Sequence, residues 1–134
     1  MIECAVIGDS IAVGISRVRP ECRSITQVGI TSQTWVRRHA WQLGSTRTMI
    51  ISLGTNDSGI NTEAQLRTLR VNADAERVFW VLPSTVKRAA AATAVRQVAA
   101  EFGDTVIVPP VSQIASDGIH LTRRGYQTLA NQTR

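Results

Sequence analysis

Short apolar runs alternate with amphipathic stretches along the whole chain. The runs are rich in Val and Ile, and several are apolar at consecutive positions, as in strands of a parallel sheet that is covered on both faces. The five predicted strands are Ile2–Ile7, Arg23–Val28, Thr48–Leu53, Arg77–Leu82 and Thr105–Val108.

Between the strands, apolar residues recur at three- and four-residue spacing, which predicts helices. We expect a short helix from Ser10 to about Val18, one that includes Trp35–Leu43, and one over Ala91–Phe102. The segment Thr62–Gln65 fits a capping box that opens a further helix, and Thr122 is the predicted cap of the last one.

This alternation indicates βαβ units with right-handed crossovers. The predicted fold class is therefore α/β, a three-layer α/β/α sandwich around a five-stranded parallel sheet. No internal repeat and no linker composition interrupt the 134 residues. We expect a single domain over residues 1–134, because domains cluster near ~100–150 residues.

Charge and composition exclude several classes of protein. The formal charge is +5, and fourteen of the fifteen cations are arginines, with Lys87 the only lysine. These arginines are scattered, so we expect a solvated basic surface and no specific nucleic-acid partner. No apolar run approaches the ~20 residues of a membrane span, and residues 1–10 do not resemble a signal peptide. We therefore expect a cytoplasmic protein, or one delivered by a non-classical route in a phage particle or larger assembly; the oligomeric state stays open.

The two cysteines, Cys4 and Cys22, are too few for a disulfide scaffold or a four-ligand zinc site. Counted back from Gly8 and Gly29, they fall at different depths on neighbouring strands. We expect two buried free thiols.

Small and polar residues follow four of the five predicted strands, where open α/β sheets bind their ligands. They form four short segments: Gly8-Asp9-Ser10, Gly29-Ile30-Thr31-Ser32, Gly54-Thr55-Asn56-Asp57 and Asp117-Gly118-Ile119-His120.

These segments hold the parts of an acyl-transfer centre. Ser10 needs a base to become a nucleophile, and His120 is the candidate because Asp117 lies three residues away and can orient its imidazole. The backbone N–H groups of Ser10 and Gly29 and the side-chain amide of Asn56 are candidate donors to an oxyanion.

In this order, the four segments resemble the four sequence blocks of the SGNH (GDSL-type) hydrolase family, with Ile11 in place of the leucine of the family's name. The resemblance implies Ser10 as nucleophile, His120 as general base, Asp117 as its partner, and Ser10, Gly29 and Asn56 as the oxyanion hole. It also implies a flavodoxin-like strand order 2-1-3-4-5 and neither a metal nor an organic cofactor.

We therefore expect a serine esterase acting on a small-molecule or glycan ester. The short chain leaves little room for specificity loops, and no apolar trench is evident, which favours a shallow site and a small acyl group, acetyl above all, on a saccharide or peptidoglycan. Trp35 and Arg123 are weaker candidates for substrate contact.

Two alternatives remain. The chain could be a glycan-binding module with this fold and little or no catalysis, or a lysophospholipase or thioesterase of the same type. Three polar residues near the segments, Asp9, His39 and Asp57, are expected to be structural.

Overall fold

A computed structural model describes residues 1–58 and 61–134. Within these two ranges, five strands and five α-helices alternate. Their bounds are β1 Ile2–Gly8, α1 Ser10–Val18, β2 Arg23–Thr26, α2 Ser32–His39, β3 Thr46–Ser52, α3 Thr62–Asn72, β4 Ala75–Val81, α4 Ala89–Phe102, β5 Thr105–Ile107 and α5 Arg123–Gln132. Short 3₁₀ turns at Ala40–Gln42 and Val111–Gln113 complete the elements.

The strands form one sheet in the order β2-β1-β3-β4-β5. Every neighbouring pair is parallel, so the carboxyl ends of all five strands meet at one edge. The α/β fold class and the strand order 2-1-3-4-5 are confirmed.

Two apolar clusters cover the two faces of the sheet. Helices α2, α3 and α4 pack on one face, where Trp35 and Trp80 are the largest fully buried side chains. Helices α1 and α5 cover the other face, with Ile15 and Leu129 fully buried. Because both faces are covered, the strands are apolar on both sides, which is the pattern that the sequence displays.

The start of α3 differs from the sequence prediction. Thr62 is the first residue of the helix instead of its cap, and Asn61 takes the cap position with a positive φ of 71°. The Thr62 hydroxyl donates to the carboxylate of Asp57 at 2.8 Å. The hydroxyl that a capping box would use therefore fastens α3 to the loop that follows β3.

The cysteines form a disulfide, so the expectation of two free thiols was wrong. Cys4 and Cys22 are bonded, with their Cα atoms 4.8 Å apart. Counting from Gly8 and Gly29 misplaced them, because Gly8 pairs with Thr26 and Ala5 with Arg23. The strand β2 thus ends three residues before Gly29, and this register brings the two cysteines side by side.

Candidate active site

The nucleophile candidate Ser10 is the first residue of α1, two residues after the end of β1. Asp9 caps this helix, and its Oδ1 accepts a hydrogen bond from the Ile11 N–H at 3.0 Å. Gly8 turns the chain with a φ of 136°. The turn leaves Ser10 half-buried at the carboxyl edge of the sheet, at the positive end of the helix dipole.

Ser10, His120 and Asp117 form a continuous chain of hydrogen bonds. The Ser10 Oγ lies 2.8 Å from the His120 Nε2, across 110 residues of sequence. On the other side of the ring, the His120 Nδ1 lies 2.6 Å from the Asp117 Oδ2. These distances let a proton move from the hydroxyl to the imidazole without rearrangement.

The Asp117 carboxylate is held in place by its own loop. Its Oδ1 accepts the backbone N–H groups of Ile119 and His120 at 2.8 and 2.9 Å. The hydrogen bond to the His120 ring, followed by these two backbone bonds, keeps the pKa of Asp117 well below its ordinary value.

This ionised carboxylate decides which ring nitrogen of His120 carries the proton. A carboxylate only accepts hydrogen bonds, so the Nδ1 must donate to Asp117. In the neutral ring the Nε2 is then an acceptor, and the Ser10 hydroxyl donates to it. This is the tautomer that a general base needs.

Asp9 is a second carboxylate next to the nucleophile, and it is completely buried. Its Oδ1 also accepts the hydroxyl of Ser52 at 3.2 Å, while its Oδ2 has no hydrogen-bond partner in the described part of the chain. Burial raises the pKa of Asp9 from 3.8 to about 6, although its hydrogen bonds to Ile11 and Ser52 act in the opposite direction.

The candidate oxyanion donors lie in loops fastened to the nucleophile's turn. The Gln27 N–H donates to the Gly8 carbonyl at 2.9 Å, which ties the loop containing Gly29 to the residues before Ser10. Gly29 is exposed and has a φ of 77°, a conformation that favours glycine. The side-chain amide of Asn56 donates one of its N–H groups to the Ile30 carbonyl at 3.1 Å. Since a primary amide has two such hydrogens, a second remains for a ligand.

Asp57 braces this part of the site. Its Oδ1 accepts the Ser32 N–H at the start of α2 at 2.8 Å, and its Oδ2 accepts the Thr62 hydroxyl. The two bonds hold the Asn56 loop between α2 and α3. This geometry agrees with the expectation that Asp57 is structural. The role of Asp9 as a helix cap agrees with the same expectation for Asp9.

Trp35 does not reach the site. It is fully buried between α2 and the sheet, and its indole N–H donates to the Ile25 carbonyl at 3.0 Å. The sequence expectation of a substrate contact by Trp35 is therefore not met, because its helix turns that side chain inward. His39 has a structural role, bonded to Gln27 and Gln42. Arg123 is exposed as the first residue of α5.

Three neighbours of the site were not identified from the sequence. Ser52 bonds Asp9, and the Lys87 ammonium donates to the Asp117 backbone carbonyl at 2.8 Å. The third is an apolar cavity of about 390 Å³, whose wall includes Ile11 and residues that follow β4 and β5. The sequence signal for this cavity was the pair of proline-containing segments that follow β4 and β5, Pro83-Ser84-Thr85 and Pro109-Pro110.

Within residues 1–58 and 61–134, no group of three or more His, Cys, Asp or Glu side chains could hold a metal ion. No helix in the same part of the chain is long and apolar enough to cross a membrane.

Solved enzymes share this fold. The chain superimposes on the catalytic domain of peptidoglycan O-acetyltransferase A from Streptococcus pneumoniae with a TM-score of 0.63 and 17% identity, covering 97% of this chain and 89% of that one. An aryl esterase from M. smegmatis gives a TM-score of 0.65 and 14% identity, covering 98% of both chains. No family model and no curated protein matches the sequence. Identities this low show a common fold, and the fold is that of acyl-transferring and ester-cleaving enzymes.

Proposed function

We propose that this protein is a carboxylic ester hydrolase of the SGNH type, with Ser10 as its nucleophile. The observation that carries the proposal is the hydrogen-bond chain from Ser10 through His120 to Asp117, in the tautomer that makes His120 a base. The four sequence blocks and the fold shared with an acetyltransferase domain and an aryl esterase support it.

In the first half of the reaction, the Ser10 hydroxyl gives its proton to the His120 Nε2, and its oxygen attacks the ester carbonyl carbon. The carbonyl oxygen becomes an oxyanion, which the N–H groups of Ser10 and Gly29 and the free Asn56 amide hydrogen stabilise. The C–O bond to the alcohol then breaks, the imidazolium returns the proton to the departing oxygen, and Ser10 carries the acyl group.

In the second half, water takes the place of the alcohol. The His120 Nε2 removes one of its protons while the water oxygen attacks the acyl carbon, and the bond to the Ser10 Oγ breaks. The imidazolium protonates that oxygen, and the free acid leaves. Asp117 stabilises the charged ring in both halves and holds its orientation.

The acyl group in this proposal is small, with acetyl as the first candidate. The apolar cavity near the nucleophile has a volume of about 390 Å³, which is more than an acetyl group needs. For the alcohol we propose a saccharide or peptidoglycan, by analogy with the peptidoglycan O-acetyltransferase domain that shares the fold. The apolar cavity also keeps a thioesterase or lysophospholipase of this type as a second candidate.

Replacing the nucleophile tests the reaction. We expect Ser10→Ala to lower the hydrolysis of p-nitrophenyl acetate by at least about 10³-fold, because the residual rate comes from the oxyanion donors and substrate binding alone. The matched control is Ser16→Ala on the same helix, whose hydroxyl bonds Ser24 on the exposed surface. A Ser10→Ala variant that is folded and as active as the Ser16→Ala variant contradicts the mechanism.

Covalent labelling separates the enzyme from the glycan-binding alternative. A fluorophosphonate should add to Ser10 in the wild-type protein, detectable by mass spectrometry of the intact chain, and should not add to Ser10→Ala. Failure to label the folded wild-type protein favours a binding module without catalysis.

A further inference from the structure

Residues 115–120, called the triad segment below, make few hydrogen bonds to the rest of the protein, and none of them is buried. In the described part of the chain, two hydrogen bonds join this segment to other elements. One links the Ser10 Oγ to the His120 Nε2. The other runs from the Lys87 ammonium to the Asp117 carbonyl. The remaining hydrogen bonds of the triad segment are internal to it, so they do not fix its position against the sheet.

The first of these two bonds is lost during the proposed reaction. Once the Ser10 Oγ is bonded to the acyl carbon, it carries no hydrogen and cannot donate to the His120 Nε2. The Nε2 must then accept a hydrogen bond from the attacking water, at a position that the triad segment sets. The bond from Lys87 does not take part in the chemistry, so of the two bonds it is the one that remains in the acyl-enzyme.

We propose that Lys87 is a positioning residue for the second half of the reaction. Its ammonium holds the triad segment in place while Ser10 carries the acyl group, so that His120 can activate water. The inference rests on the proposed function. It gives a role to the only lysine of the chain, which lies between β4 and α4 and outside the four sequence blocks.

The backbone of Lys87 is fixed, so its side chain extends from a firm base. The Lys87 N–H donates to the Ser84 Oγ at 3.0 Å. The Lys87 carbonyl accepts the Arg88 Nη1 at 2.9 Å, and the Nε of the same guanidinium donates to the Thr55 carbonyl at 2.6 Å. Thr55 is buried and directly precedes the oxyanion candidate Asn56. Lys87 therefore links the loop of Asn56 to the triad segment.

Gly118 gives the lysine side chain its path to the triad segment. A Cβ built on Gly118 would lie 2.9 Å from the Lys87 Cε. The aliphatic stem of Lys87 thus packs closely over the glycine, and the ammonium at its end reaches the carbonyl of the preceding residue, Asp117. This packing restricts a side chain that would otherwise adopt many conformations at the surface.

The variant Lys87→Met removes the ammonium and keeps an unbranched side chain over Gly118. Because the triad segment loses a hydrogen bond from a charged donor, we expect deacylation to slow by about tenfold. Acylation should change by less than about threefold, since Ser10 still bonds His120 in that half. With p-nitrophenyl acetate, kcat/KM reports acylation. Acid quenching in the steady state, followed by mass spectrometry of the intact chain, measures the ratio of acylated to free Ser10, which should rise about tenfold.

Two further variants separate positioning from a general loss of structure or charge. Lys87→Arg keeps a charged donor of similar reach, so it should restore the wild-type ratio of acylated to free enzyme. Arg96→Met removes the same charge from the exposed surface of α4 and should change neither kcat/KM nor that ratio.

Hydrogen exchange tests the hold on the triad segment without any activity. Four backbone N–H groups are bonded inside the segment, those of Ala115, Gly118, Ile119 and His120. Their exchange with deuterium reports local opening. Ser10→Ala imitates the loss of the serine bond in the acyl-enzyme. We expect exchange in Ser10→Ala/Lys87→Met to be about tenfold faster than in Ser10→Ala.

Several results overturn the inference. An unchanged ratio of acylated to free enzyme in Lys87→Met, or an equal slowing of acylation and deacylation, shows that Lys87 does not act in the second half. Equal exchange in Ser10→Ala with and without Lys87 shows that the lysine does not hold the triad segment. If the wild-type protein hydrolyses no ester, the proposed function fails and the role of Lys87 in the reaction fails with it, while the exchange experiment still decides whether Lys87 holds the segment.

Discussion

Two carboxylates near the proposed nucleophile have pKa values that are shifted in opposite directions. Asp117 is exposed and bonded by three N–H groups, so its pKa is held low and it stays ionised. Asp9 is buried, and one of its oxygens has no partner in the described residues, so its pKa rises to about 6. The difference follows from solvent access and the number of donors, and it assigns Asp117 to the histidine and Asp9 to the helix cap.

The buried Asp9 should make stability fall with rising pH. Its pKa is higher in the folded protein than in the unfolded chain, so the folded state binds the extra proton between about pH 4 and 6, and deprotonation in this window costs up to about 3 kcal/mol. Urea unfolding of wild type and Asp9→Asn at pH 4 and pH 7 measures this cost. We expect the wild type to lose stability relative to the variant across this window.

The window separates Asp9 from the other shifted carboxyls. The pKa values of Asp117, Glu21 and Glu101 are lowered, so their stabilising contribution is lost only as the pH falls below their ordinary values near 4. An equal pH dependence in wild type and Asp9→Asn would show that burial does not shift the pKa of Asp9.

The joint between β1 and α1 is the element that positions the nucleophile. The backbone at Gly8 packs against the Ser52 carbonyl and leaves no room for a side chain. A Cβ built on Gly8 would lie 1.8 Å from that oxygen. The Asp9 N–H donates to the same carbonyl at 2.9 Å, which holds the turn against β3. The glycine in the first sequence block therefore has a packing reason in addition to its φ of 136°.

Gly8→Ala should destabilise the protein by at least about 2 kcal/mol, because a side chain is strained at this φ and clashes with backbone that cannot move freely. The free energy of unfolding in urea measures the loss. Gly44→Ala is the control, since a Cβ there meets nothing within 4 Å and we expect a change within about 0.5 kcal/mol. Equal effects of the two substitutions would contradict the clash.

At the scale of the whole molecule, the disulfide joins the first strand to the edge of the sheet. It closes a loop of 18 residues that contains α1, and so links the short strand β2 to β1. Disulfides persist in oxidising surroundings.

Removing the crosslink should lower the free energy of unfolding by about 3 kcal/mol, since the unfolded chain regains the entropy of an open loop of this length. The double variant Cys4→Ala/Cys22→Ala, compared with wild type in urea, measures the effect. Dithiothreitol provides the control: it should lower the stability of wild type and not that of the variant. A wild type insensitive to the reductant under unfolding conditions would show that the bond does not form.

Much of the fold could be predicted from local patterns. All five strands were located to within three residues at either end, because a covered parallel sheet requires Val- and Ile-rich runs. The Thr122 cap is also as predicted, with its hydroxyl accepting the Gly125 N–H at 3.1 Å. The start of α3 differs from the prediction, because the Thr62 hydroxyl bonds Asp57 instead of capping the helix. No local pattern in the sequence reveals that contact.

The sequence by itself determined which elements form and which chemical groups follow each strand, because periodicity and short motifs depend on neighbouring residues. Only the tertiary structure decided the pairing of Cys4 with Cys22, the burial of Trp35, the state of Asp9 and the apolar cavity beside Ser10. Each depends on register or enclosure between segments far apart in the chain. Length alone suggested a shallow site, whereas the segments that follow β4 and β5 and the segment that carries His120 line an apolar cavity of about 390 Å³.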